Sequence, residues 1–157
     1  MRRTDRQISD WAQMLTIMEA CECLRLGFVD GEEVYMVPLN FGYEVTANRE
    51  LTIYCHGARA GRKMELARRL NRAGFEMDCR HDLMMADAAC DFSYLYASVM
   101  GSGTVSVLDE PADKIHGLTQ VMRHYAPDRE FHFTPEMVRE VGVIALQVTS
   151  WSCKAHS

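Results

Sequence analysis

Residues 34–63 read V-Y-M-V-P-L-N-F-G-Y-E-V (34–45), T-A-N-R-E (46–50) and L-T-I-Y-C-H-G-A-R-A-G-R-K (51–63). Aromatic and β-branched residues dominate both flanks of a polar centre, so the stretch predicts strands turned near Asn48. The later strand ends at His56-Gly57 and enters a helix through Arg59, Arg62 and Lys63. A helix's first turn is the positive end of its macrodipole and carries unpaired N–H groups, so cations there are unfavourable unless an anion sits among them. Glycines at 57 and 61 let backbone approach such a ligand, and the segment predicts an anion pocket. Pro38 has no N–H for a ladder. Its strand therefore ends at an edge, a bulge or a point where backbone faces a ligand.

Working outward, Ser9 or Asp10 caps a predicted helix with Trp11, Leu15 and Met18 at helical spacing. Leu24, Leu26 and Phe28 alternate with polar or small residues, and Asp30-Gly31 turns that strand back into Val34–Leu39. Phe41–Val45 and Leu51–Cys55 make a further pair. A helix over 60–70 follows, with an apolar stripe of Ala60, Met64, Ala67 and Leu70. Phe75, Met77 and Cys79 alternate as a strand, 81–88 lacks periodicity and reads as a loop, and a long strand spans 92–108. Gly101 and Gly103 mark a bend or bulge in it. Pro111 opens a helix with core positions Ile115, Leu118, Met122 and Tyr125. A short helix start at Thr134-Pro135-Glu136 and an apolar strand over 141–148 complete the pattern.

The 157 residues suit one domain, with 1–8 and 151–157 expected as flexible ends. A balance of 17 Lys+Arg against 22 Asp+Glu gives −5, so nothing draws the chain to nucleic acid or an anionic membrane, and any anion site is local. No apolar run reaches a membrane span and M-R-R-T-D-R-Q has no signal core, so the expected location is cytoplasmic. The six cysteines read as mostly buried thiols rather than disulfides. Cys79-Arg80-His81, Cys90 and Cys21-x-Cys23 lack paired metal-ligand spacing, so no metal is expected. Nor is there a G-x-S-x-G, an H-E-x-x-H or a P-loop.

V-P-L-N-F-G-Y-E, I-Y-C-H-G-A-R-A-G-R-K and A-C-D-F-S-Y-L-Y-A-S-V-M-G-S-G (89–103) together resemble, in order and spacing, the nitroimidazole-resistance-type flavoproteins. The similarity runs from about Met1 to about Thr149. These are pyridoxamine-phosphate-oxidase-like proteins, and the resemblance implies a mainly β fold: an FMN-binding split β-barrel of about six antiparallel strands with two to four helices. It implies FMN at a homodimer interface. Its phosphate and ribityl chain would lie along His56, Gly57, Ala58, Arg59, Gly61, Arg62 and Lys63, and its ring by Val37, Pro38, Leu39, Asn40 and Phe41, with Phe92 and Ser93 from the third motif. Between Tyr96 and Ser98, where the family pattern carries a polar or basic residue, stands Ala97.

Arginine forks and a lysine point charge suit a dianionic phosphate. Composition alone would instead make Arg59, Arg62 and Lys63 a solvated helix face. His56 alone reads as a strand-end histidine; the family pattern makes it the catalytic expectation, donating a proton or hydrogen-bonding the flavin. The implied activity is an FMN-dependent oxidoreductase acting on a small molecule such as a nitroimidazole, with NADH or NADPH as possible donors. The alternative is a non-catalytic flavin- or haem-binding protein.

Overall fold

The structure is a computed structural model in which residues 4–156 are described. Its strands are β1 (Gln7–Ile8), β2 (Leu24–Asp30), β3 (Glu33–Leu39), β4 (Phe41–Val45), β5 (Leu51–Ala58), β6 (Arg72–Met84), β7 (Ser93–Leu108) and β8 (Val141–His156). Three α-helices accompany them, α1 (Trp11–Glu19), α2 (Arg62–Arg69) and α3 (Pro111–Tyr125). All pairing is antiparallel, in the order β3-β2-β6-β7-β8-β5-β4, with β1 added on β8.

That order contains the reason the sheet curls. β3 and β4 end the path on opposite sides, yet only Asn40 separates them in the chain. One residue spans under 4 Å, so the two edges have to meet at Asn40 and the sheet must close on itself there. The result is a split β-barrel, mainly β as expected.

Alternation fills the barrel. Leu24, Leu26 and Phe28 on β2, Ile53 and Cys55 on β5, Phe75 and Met77 on β6, and Ala97 and Val99 on β7 are buried in one core. Ala97 has no exposed surface. A basic side chain at 97 would be buried without a partner, which gives this chain's departure from the family pattern a packing reason. Asp10 accepts from Gln13 N at 2.9 Å and so caps α1. The core face of α1 is Met14, Ile17 and Met18, rotated from the expected Trp11 and Leu15, which are half-buried. α3 starts at Pro111 as expected, but its buried face is Lys114, Gly117, Leu118, Gln120 and Val121, and Tyr125 is exposed.

Other expectations are corrected. The segment 151–156 is not a flexible end but the last part of β8, with Cys153 in the core and Trp151 and Ala155 packed against it. Gln7 and Ile8 pair with Lys154 and Cys153, and this short β1 contributes to a strand count of eight rather than about six. Residues 81–84 are not loop: β6 continues to Met84, pairing Asp82, Leu83 and Met84 with Leu95, Tyr94 and Ser93. The register shifts between Cys79 and Asp82, where Arg80 has φ 61°, and that bulge breaks the alternation a strand is recognised by. The predicted bulge near Gly101 and Gly103 is present, as a shift between Ser102 and Gly103 against β8. Residues 135–140 form turns rather than a helix starting at 134–136. α2 begins at Arg62, not at 60, because Gly61 before it has φ 119°.

Candidate functional site

The corner at Asn40 assembles the two segments the sequence singled out. β4 pairs with β5 through Phe41↔Cys55 and Gly42↔Tyr54. Continuing that register one residue past the last rung brings Asn40 opposite His56. The segment Val37-Pro38-Leu39-Asn40-Phe41 is therefore brought beside His56-Gly57-Ala58, at the place where the barrel edges meet. Leu39 and Phe41 are buried, Val37 is half-buried, and Pro38 and Asn40 are exposed.

On β5 the alternation turns Ile53, Cys55 and Gly57 to one face and Tyr54 and His56 to the other. Burial pushes the Cys55 thiol up to about 12, so it is an inert core thiol. His56 is half-buried and has no side-chain hydrogen bond among the described residues. Burial first, then the nearby Lys63 charge, hold its imidazole below the usual histidine range. It is thus a neutral imidazole near neutral pH with both ring nitrogens available.

The cations divide. Lys63 lies against the backbone of Gly57: a Cβ there would fall 2.7 Å from Lys63 Cε, and closer still to Nζ. No carboxylate pairs with Lys63 among the described residues. Arg62 instead donates to Asp30 at 3.0 Å and Glu33 at 2.6 Å, with its guanidinium 4.9 Å from the Tyr35 ring. Arg59 reaches Glu140 at 3.4 Å. The expected three-cation pocket therefore resolves into one unpaired ammonium over a glycine, with two arginines turned to carboxylates. The sequence could not show this, because Asp30, Glu33 and Glu140 are brought in from other elements.

Phe92 and Ser93 stand elsewhere. Val143 pairs with both His56 and Leu108. Ser93 lies at the other end of β7, fifteen residues from Leu108 and paired with Met84. At about 3.3 Å per residue this is roughly 50 Å of strand, less what the bulge and curvature remove. Within one chain, Phe92 and Ser93 do not join the corner. Around them are residues the sequence reading did not select: His156 Nδ1 donates to Tyr94 O at 3.0 Å, and His81 stacks on Tyr94. The 151–156 segment carries no strand signal of its own, so the sequence does not mark His156.

The outer face of β3, β2, β6 and β7 carries an apolar patch beside the ion pairs of Arg25 with Glu76 and Asp78. Met36 sits opposite Gly27, Val34 opposite Val29, and Met100 opposite Glu76. Val29, Val34, Met36 and Met100 are all more than half exposed.

A split β-barrel with its edges meeting beside a glycine–lysine cradle is the class that these features define. Residues 10–155 match the family described as pyridoxamine 5'-phosphate oxidase, and the chain belongs to that family. No curated protein matches the chain. A solved structure of a candidate 5-nitroimidazole antibiotic resistance protein from Bacteroides thetaiotaomicron is 29% identical over 95% of this chain and 86% of its own, with TM-score 0.80. The flavocytochrome Anf3 from Azotobacter vinelandii is 20% identical over 100% and 72%, with TM-score 0.82. An FAD- and haem-binding protein from Mycobacterium smegmatis is 15% identical over 97% and 74%, with TM-score 0.81. These last two share the fold. No helix among the described residues is long and apolar enough to cross a membrane.

Proposed function

We propose that the chain is an FMN-dependent oxidoreductase that works as a homodimer on a small molecule of the nitroimidazole kind. The observation that carries this reading is the corner where Asn40 meets His56, with the unpaired Lys63 ammonium laid over Gly57. A cation without a carboxylate, at a point where glycine lets backbone approach, fits a phosphate. The exposed rim at Pro38 and Asn40 fits the polar edge of a flat ring. Bound there, FMN would supply the electron transfer. The chain's own residues would hold its phosphate through Lys63 and the 57–61 backbone, orient its ring through Val37–Phe41, and place the neutral His56 imidazole to accept or return a proton.

A second copy of the chain completes the site in this reading. Phe92 and Ser93 lie too far along β7 to reach their own corner, and the exposed apolar patch of Val29, Val34, Met36 and Met100 is a suitable seat for a partner. The Bacteroides relative, described by its resistance to a nitro-compound class, supports the substrate class. Six free thiols suit a reducing compartment, so the cytoplasm is the location we favour.

The test is purification and mixing. The purified protein should bind FMN at micromolar concentration as a dimer, and anaerobic NADH or NADPH should bleach the bound flavin band. A colourless protein that ignores added FMN sinks the reading. Flavin that no nicotinamide reduces, or a haem Soret band instead, would favour a flavin- or haem-binding protein without turnover.

A further inference from the structure

Beside Arg59, between β5 and α2, a second set of cations lines an open cavity of about 280 Å³. Its walls include Arg59, Lys114, Val138 and Arg139, with Asp109 and Glu136. Lys114 is the unusual member. It is 7% exposed, and its ammonium makes one hydrogen bond, to Val138 O at 3.3 Å. No carboxylate lies within ion-pair distance of it among the described residues. Asp109, an acidic wall residue whose carboxylate feels the Lys114 and Arg59 charges, is hydrogen-bonded not to them but to Arg68, at 2.8 Å.

Three costs coincide on Lys114. A buried charge needs a counter-charge and a full hydrogen-bond shell, and one long bond to a carbonyl provides neither. The residue also sits in the first turn of α3, where the helix dipole opposes a cation. Arg139, on the same cavity wall, has neither an ion pair nor a side-chain hydrogen bond among the described residues. Among the described residues Arg59 makes one ion pair, to the exposed Glu140 at 3.4 Å. An anion in the cavity would relieve all of these at once, accepting from Lys114, Arg139 and Arg59.

We propose that this cavity binds a phosphate group, at a site separate from the Lys63–Gly57 cradle. Three cations lining a space of this size match a dianion with several acceptor oxygens better than a carboxylate. Because Arg59 belongs to the link between Gly57 on β5 and Lys63 on α2, the phosphate has two chemical sources: a free phosphorylated metabolite, or the second phosphate of a flavin dinucleotide reaching past that link.

The experiment is calorimetric titration of the full-length protein with inorganic phosphate, using wild type, Lys63→Ala, Lys114→Met and Arg139→Gln. The site predicts saturable binding that survives Lys63→Ala and weakens about 10-fold in Arg139→Gln and in Lys114→Met. Arg139 is exposed, so its variant keeps the test valid if Lys114→Met fails to fold. No saturable binding, binding lost in Lys63→Ala, or binding indifferent to Arg139→Gln overturns the proposal. FAD and FMN titrated into wild type and Arg139→Gln then assign the source. Weakening confined to FAD identifies the dinucleotide, and equal affinities identify a free phosphorylated metabolite.

Discussion

The ammonium of Lys63 lies over the backbone of Gly57, in the space a side chain at 57 would occupy. Gly57→Ala therefore pushes Lys63 aside rather than breaking the strand. Lys63 is long and flexible, so the thermal midpoint should hardly move, while FMN affinity should fall about 10-fold as the cation leaves its place. Equilibrium titration by flavin fluorescence checks this, with Lys63→Ala as the matching loss. A Gly57→Ala protein that binds FMN as tightly as wild type would remove Lys63 from the phosphate.

His56 separates a role in the site from a role in the fold. A half-buried imidazole without hydrogen bonds contributes few contacts, so His56→Ala should lower turnover or shift the bound flavin's absorption and leave stability little changed. A purely structural histidine would show the opposite, losing about 1–3 kcal/mol with unchanged spectra.

The same residue predicts a pH dependence. Its folded-state imidazole titrates below the usual histidine value because of burial and Lys63. Between that lowered value and the ordinary one near 6.5, the unfolded chain binds more protons than the folded one. The contribution to stability is thus complete above about 6.5 and is lost as pH falls through the folded value. Thermal melts from neutral to mildly acidic pH should show wild type losing stability more steeply than His56→Ala. Parallel curves would show that His56 does not stay neutral in the fold.

Arg62 is held by Asp30 and Glu33, and Arg69 also pairs with Asp30. Arginine beside it holds the Asp30 carboxyl below the usual range, first through Arg69 and then through Arg62. Arg62→Ala alone should change FMN affinity little, since its donors are already occupied. Asp30→Asn with Glu33→Gln should free Arg62 and tighten FMN binding, and adding Arg62→Ala should reverse the gain. If Arg62→Ala by itself abolishes binding, the carboxylate pairing gives way to the ligand and Arg62 joins Lys63 on the phosphate.

Two defective chains should repair each other. Lys63→Ala damages the corner, and Phe92→Ala with Ser93→Ala damages the part lent to the partner. Refolded together in equal amounts, half the dimers are mixed and each mixed dimer holds one intact site, so about a quarter of all sites should bind FMN. Each variant alone should bind weakly. Absence of any recovery on mixing would place Phe92 and Ser93 outside the partner's site.

How much was legible in the sequence depended on the range of the cause. Local signals were enough for the turn at Asp30-Gly31, the Asp10 cap, the Pro111 start of α3 and most strands, because periodicity, capping and turn chemistry act within a few residues. The same holds for the strand pair that brings Asn40 to His56, since Phe41–Val45 and Leu51–Cys55 are joined by a short polar turn. The Arg80 bulge hid the end of β6, because a bulge inverts the alternation by which a strand is read. The tail at 151–156 looked polar, and only its pairing with β7 and β1 shows that Cys153 belongs to the core. Charge pairing lay furthest from view. Arg59, Arg62 and Lys63 are alike in a linear sequence, and only the barrel brings Asp30 and Glu33 to Arg62 and Glu140 to Arg59 while leaving Lys63 free. Sequence determined which residues could form strands, helices and a cation-rich loop. Closure at Asn40 decided which cations are neutralised, because an ion pair depends on distances of a few ångströms that only the folded chain sets.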